Sequence, residues 1–335
     1  TEIYTLSLHD ALPICRAAGV SRGPAPGAVV SRKGKRLVRL STRKALSAYI
    51  FLALPLFFFL FFRIMPTLQA FQMSLHEWHV QPELRTFLGL ENYERMLSDQ
   101  RLHQAVKNTF LYALLGVPAQ LALGLAFALL LHSVRRGRGF FRAVFFAPYV
   151  APAVAVSWVW SLLLSPHLGL VNQVLYFLGF DPQPFLNSPS QALPTVTAVV
   201  VWQFLGFHIL LFLAGLESIP RMYYEAAQID GAGPWQTFRH ITLPLLNPTI
   251  VVSLIMATAA PSIGFLQLFT HVVNLKFNDP GGPLGSTLTV VLYVYQRAFQ
   301  AYDMGYAAAI TVVLFVALLV ISVVQMRLVS REVEY

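Results

Sequence analysis

Cysteine occurs once in the 335 residues, at Cys15, which excludes a disulfide framework and any cysteine-based metal cluster. Charge is scarce as well: Asp, Glu, Lys and Arg make up 12% of the chain, where a soluble domain carries about a quarter. That is too little to cover the surface of a water-soluble globule of this length, so a cytosolic enzyme of one or two domains is excluded. Gly (20) and Pro (21) are near ordinary usage, which removes collagen-like and low-complexity classes. A Gly-x-x-x-x-Gly-Lys-Ser/Thr phosphate loop is missing, so the chain has no means of hydrolysing ATP by itself. What is abundant is apolar surface, 56% of residues with a mean hydropathy of +0.60. What remains is an integral membrane protein, all-α by its apolar spans, and the net charge of +9 suits one whose cations gather on one side of the bilayer.

A bilayer-crossing helix needs about 20 apolar residues. Stretches 45–65, 106–131, 143–164, 193–214, 248–272 and 305–326 meet that length and predict six transmembrane helices. The second holds only Lys107 at its edge, and the last four hold no Asp, Glu, Lys or Arg. Placing the N-terminus inside puts Arg32, Lys33, Lys35, Arg36, Arg39, Arg43 and Lys44, then Arg135, Arg136, Arg138 and Arg142, then Arg221, Arg239, Arg327 and Arg331 on the inner side. They outnumber the cations left outside, and both termini are therefore expected in the cytoplasm. The outer loop 66–104 is acidic, with Glu77, Glu83, Glu91, Glu94 and Asp99. Residues 168–180 are apolar but too short to span, and read as an interfacial or re-entrant helix. A turn-rich break at 279–286 precedes an amphipathic stretch at 287–300.

The ends are read separately. Residue 1 is Thr, Ser7 to Ile14 resembles a translated sequencing adapter, and 16–30 are rich in Ala, Gly, Pro and Val. Residues 1–30 are expected to be a disordered or artefactual leader, 31–44 a basic cytoplasmic flank, 45–326 the membrane domain and 327–335 a cytoplasmic tail.

Residues 217–244 join the fourth and fifth predicted spans and are too apolar for an idle linker. Ser218 can cap a helix whose first turn contains Pro220. Met222, Ala226 and Ile229 fall on one stripe, and Gly231 stands where a left-handed C-terminal residue belongs. Pro234 suits the first turn of a second helix, Trp235, Phe238 and Ile241 give it an apolar face, and Leu243-Pro244 is expected to stop it. Two short helices folded back at a glycine elbow should dock against the bilayer surface or a partner protein.

Glu225-Ala226-Ala227, three residues, Gly231, nine residues, then Ile241-Thr242-Leu243-Pro244 resembles the EAA motif of bacterial ABC importer permeases. The resemblance covers roughly 45–326. Asn278-Asp279-Pro280-Gly281-Gly282-Pro283, Thr287, Tyr295 to Phe299 and Gly305 to Ala309 are similar to the carbohydrate branch, and within it to the first permease subunit of the maltose and glycerol-phosphate type. Asn278-Asp279 departs from that branch, where a Thr-Gly-type pair is common. The resemblance implies a type I importer bundle in the bacterial inner membrane, with Glu225, Ala226, Ala227, Gly231, Ile241, Leu243 and Pro244 forming the coupling surface for a separate ATPase. It further implies a second permease subunit, an ATPase pair binding ATP and Mg, and an extracytoplasmic solute-binding protein. Membrane lipid is the expected surrounding. No nucleic acid, catalytic residue, metal or cofactor on this chain is implied.

Polar groups inside the spans are the candidates for a substrate path. Trp202, Gln203 and His208 in the fourth span combine an aromatic face with hydrogen-bonding groups, as a sugar requires. Ser262 and Gln267 in the fifth follow Pro261 and, with Gly264, suggest a kink at substrate level. The same residues could instead pack helices together through side-chain hydrogen bonds. His76 and His79 lack a further matched ligand and read as outer-loop surface. An ion-coupled carrier would keep intramembrane carboxylates or histidines as relays, and spans two to six hold no acidic residue. A membrane-embedded enzyme would cluster Asp, His and Ser or metal ligands at one depth, and no such cluster is found.

Overall fold

A computed structural model describes residues 42–79, 81–134, 136–258 and 281–329. The leader 1–30, most of the basic flank, Pro261, Ser262, Gly264, Gln267, Asn278 and Asp279 lie outside the described residues. The chain divides into two compact units, 1–57 and 58–335. In the first, the described residues are helical: α1, Thr42–Phe59, begins there. A π turn, Leu60–Ile64, and α2, Met65–Ser74, follow.

The second unit is a helical bundle. A short antiparallel hairpin, β1 (His76–Glu77) and β2 (Thr86–Phe87), precedes α3, Glu91–Ser98. The long α4, Gln100–Ser133, is capped by Asp99, whose Oδ1 accepts from the Arg101 and Leu102 N–H groups at 3.0 and 3.1 Å. Next come α5 (Arg138–Val150), α6 (Ala153–Leu163) and α7 (Leu170–Phe177), the last occupying the apolar stretch too short to span. α8, Ala192–Ser218, runs through the middle. It leads to α9 (Arg221–Ile229), α10 (Pro234–Thr237), α11 (Leu243–Leu245) and α12 (Asn247–Thr258). α13, Val290–Tyr295, and α14, Met304–Val329, close the chain.

Four helices are long and apolar enough to cross a bilayer, and two bent pairs bring the total to six among the described residues. The third expected span is not straight: α5 and α6 meet at 94°. Proline disfavours helical backbone in the residue before it, and Ala151 before Pro152 takes φ −67° and ψ 140°, which breaks the helix there. Of the fifth expected span, α12 covers the described part. Side chains such as Leu114, Leu130, Val313, Phe315, Val316 and Leu319 stand exposed on the bundle's outside. Water would not tolerate that surface, whereas lipid tails match it.

Packing centres on α8, whose most apolar stretch is 67% buried. Tyr112, Val196 and Val200 form one apolar cluster with α6, and Ala128, Leu131, Ile209, Phe212 and Leu216 form another against Leu246. α5 reaches α8 because residue 206 has no side chain: a Cβ on Gly206 would fall onto the Phe145 carbonyl. Gly206→Ala is expected to force the two backbones apart and cost about 1–3 kcal/mol. Thermal unfolding in detergent checks this, with Gly139→Ala as the control, since nothing lies within 4 Å of a Cβ there.

Candidate functional site

The chain between α8 and α12 folds as an elbow. α9 ends in a Schellman motif: the Ala232 N–H donates to the Ala227 carbonyl at 2.9 Å and the Gly231 N–H to the Gln228 carbonyl at 3.2 Å. Gly231 holds φ +73°, the left-handed conformation that glycine adopts without penalty. No atom lies within 4 Å of a Cβ built there, so the demand for glycine is conformational and not steric. Pro234 opens α10 as expected, and the Gln236 side chain accepts the Gly233 N–H at 2.9 Å. Tyr224 and Thr242 hydroxyls meet at 3.3 Å and tie the two arms.

Two expectations for this segment are corrected. Ser218 does not cap α9; its hydroxyl donates back to the Gly215 carbonyl at 2.7 Å, inside α8, and Pro220 occupies the cap position. Leu243-Pro244 does not stop the helix. A π turn at Phe238–Thr242, in which the Leu243 N–H donates to the Phe238 carbonyl, inserts an extra residue ahead of the proline, and the helix continues to Leu245. The break falls later, as a 67° bend before Asn247.

The elbow exposes apolar surface. Met222 is 66% exposed, Ile229 86% and Trp235 68%, beside exposed Glu225 and Ala226. Ala227 is buried and Leu243 and Pro244 are exposed, with Ile241 half-buried. At the root of the elbow Glu217 accepts from Arg138 at 2.9 Å and from Arg142 at 2.6 Å. Arg138 also donates to the Leu131 carbonyl at 3.0 Å, satisfying the C-terminus of α4. The 136–142 and 217–246 segments therefore share one end of the bundle. Nothing in the spacing of Arg138, Arg142 and Glu217 announces this knot, because the two arginines lie on α5 and the glutamate on α8.

Within the spans, His208 is buried at 1% exposure, with Nδ1 2.8 Å from Ser253 Oγ and Nε2 3.0 Å from Gln120 Oε1. Gln203, also buried, donates to the Ala151 carbonyl at 3.3 Å, and its Oε1 has no hydrogen-bond partner among the described residues. Trp202 is 41% exposed, lies edge-on to Trp160 and lines a groove of about 390 Å³ between α4 and α8 with Leu115, Ala119, Pro194 and Val201. The structure thus brings His208 and Gln120 together and sets Trp202 on a different face from Gln203.

The opposite end carries a second knot that sequence inspection missed. Asp99 Oδ2 accepts from Tyr293 at 2.5 Å and from Tyr306 at 2.7 Å, with Arg297 3.7 Å away. Burial alone would raise the Asp99 pKa. The two tyrosine hydrogen bonds, the Leu102 N–H and the Arg297 charge outweigh burial and hold it below the usual carboxylate range. A carboxylate with a depressed native pKa stabilises the fold fully above its unfolded value of about 3.9, and that contribution disappears as pH falls through the lower native value. Melting in detergent between about pH 6 and pH 3 should therefore show wild type losing more stability than Asp99→Asn, which starts lower.

Residues 120–335 match the family described as "Binding-protein-dependent transport system inner membrane component". The chain is 35% identical over 325 residues to the diacetylchitobiose uptake system permease protein NgcF of Streptomyces coelicolor, covering 93% of this chain and 89% of that protein. It is 34% identical over 289 residues to the trehalose/maltose transport system permease protein MalF of Thermococcus litoralis, covering 86% and 95%. Among solved structures it is similar to a chain of the bacterial alginate ABC transporter in complex with an alginate pentasaccharide-bound periplasmic protein, with a TM-score of 0.70, 25% identity and coverage of 85% and 94%.

Proposed function

The chain belongs to the family of binding-protein-dependent transport system inner membrane components, and on that premise we propose that its elbow is the surface through which a separate ATPase drives transport. The protein is a multi-pass permease subunit of a carbohydrate ABC importer and not an enzyme. It works with a second permease, an ATPase and an extracytoplasmic binding protein.

One observation supports the coupling role above the others: a preformed, solvent-facing elbow runs as helix from Pro234 to Leu245 and meets the start of α12 at a 67° bend. Met222, Ile229 and Trp235 offer the apolar contact that a groove on a partner needs, and Glu225 offers a charge to a basic residue there. Ala226 and Ala227 leave room for close approach, and Gly231 sets the angle. Ile241, Leu243 and Pro244 join the elbow to the span. ATP with Mg binds on the partner. Closure of the ATPase pair draws the elbows of the two permeases together and switches the path from inward- to outward-facing. Both termini lie in the cytoplasm, with the elbow and the arginine-rich 136–142 turn on the same side. Reporter fusions placed in 132–142 and 221–243 should be cytoplasmic, and those in 70–100 and 182–190 external; an external elbow sinks the assignment.

The substrate is a sugar or sugar derivative. Trp202 fronts the groove between α4 and α8, where an aromatic face can stack on the C–H face of a sugar ring. Gln203 and His208 do not line that groove, and Ser262 and Gln267 are further candidates on the path. Trp202→Ala should reduce uptake while the complex still assembles, as judged by co-purification.

The decisive test is reconstitution with the second permease, the ATPase and the binding protein in vesicles. A charge-assisted contact contributes about 1.5–3 kcal/mol, so Glu225→Ala should weaken ATPase attachment roughly ten- to a hundredfold. Gly231→Val should leave attachment closer to normal but uncouple hydrolysis from uptake, because a β-branched residue resists φ > 0. If both variants bind the ATPase and transport like wild type, the elbow is only a linker.

A further inference from the structure

We infer that His208 is a positioning residue: it locks the helix that leaves the elbow to the two central helices, so that displacement of the elbow moves all three as one. This rests on the elbow being the ATPase-coupling surface.

The geometry is a three-helix node. Ser253 lies on α12, His208 on α8 and Gln120 on α4, and all three are at most 1% exposed. Gln120 Oε1 can only accept, so the His208 proton sits on Nε2 and donates to it at 3.0 Å. In the neutral ring Nδ1 is then an acceptor, and the Ser253 hydroxyl donates to it at 2.8 Å. The imidazole is used at both ends, which leaves it no group to offer a substrate. Its reach across the helices depends on a close approach one turn along α4, where a Cβ on Gly124 would lie 2.8 Å from the His208 Cβ.

Position gives the node its role. Ser253 stands six residues past the start of α12, roughly 9 Å along the axis at about 1.5 Å per residue. It is the first turn or two of span after the bend, close to where force from the elbow arrives. Apolar side chains slide past one another with little directional resistance, whereas a hydrogen bond in a medium without water has to be broken or exchanged. Leu246, Ile209 and Phe212 supply the cohesion around it, and His208 supplies the register. The Gln120 amide nitrogen has no acceptor among the described residues, so the node holds a spare donor for re-pairing when the helices shift.

The experiment uses the full reconstituted complex and measures sugar transported per ATP hydrolysed, the KM for sugar and ATPase attachment. His208→Phe fills the space without the bonds. It should keep ATP hydrolysis within about twofold of wild type and leave KM unchanged, while sugar per ATP falls about tenfold or more. Ser253→Ala and Gln120→Leu should shift the ratio in the same direction, and His208→Phe with Ser253→Ala should be no worse than His208→Phe alone. His208→Gln, which keeps a donor and an acceptor, should recover part of the ratio. If His208→Phe does not insert, the two smaller substitutions carry the test by themselves. An unchanged ratio overturns the inference. So does a raised KM with a normal ratio at saturation, which makes His208 a substrate contact, or an equal loss of transport and hydrolysis, which makes it packing alone. Wild-type uptake that needs no ATP or stops with a proton uncoupler would instead bring down the importer reading, independently of the variants.

Discussion

The bundle depends on the close approach of α5 to α8. Where Gly206 faces the Phe145 carbonyl, two backbones come within a distance that a methyl group would forbid. Between helices in lipid there is no hydrophobic gain from association, because lipid tails are as apolar as leucine. What holds helices there is dispersion between closely matched surfaces and hydrogen bonds that water cannot contest. α8 uses both: small residues admit its neighbours, and His208 and Gln203 reach across the gaps so created.

Two polar knots frame that apolar middle. At the elbow end, Arg138 and Arg142 share one Glu217 oxygen, and Arg138 also closes the end of α4. Exposed pairs of this kind contribute about 0–1 kcal/mol each, so their value here is in fixing where the elbow begins. At the other end Asp99 does three things: it caps α4, and its second oxygen accepts from a tyrosine on α13 and another on α14. The hairpin and α3 are held to the same end through Asn92, which donates to the Ser74 and His76 carbonyls. Length and charge of the loops thus say less about the bundle's ends than a few carboxylates and arginines that bridge helices far apart in sequence.

Much of this was legible in advance. The described parts of the long apolar stretches are helical, as a backbone crossing hydrocarbon must close its own hydrogen bonds. Gly231 announced its own conformation through the pattern of small residues around it, and Pro234 its place at a helix start. Breaks were harder to place. Pro152 was in plain view inside an apolar run, yet hydropathy averages over it, and only the backbone conformation at Ala151 reveals the 94° bend. Leu243-Pro244 misled in the opposite direction, since an added residue upstream let the helix absorb the proline. The His208 node and both charged knots join residues between 45 and 207 positions apart, a distance over which a single sequence carries no pairing signal.

The π turn at Phe238–Thr242 has a geometric outcome of its own. An α-helix advances about 100° in azimuth per residue, so one surplus residue resets the phase between everything before it and everything after. The bearing of Trp235 relative to Leu243 and Pro244, in the same run, is therefore set by a single insertion in the ladder, not by the side chains that occupy that face. Sequence drift at Trp235 can alter the chemistry of that face while its bearing stays fixed.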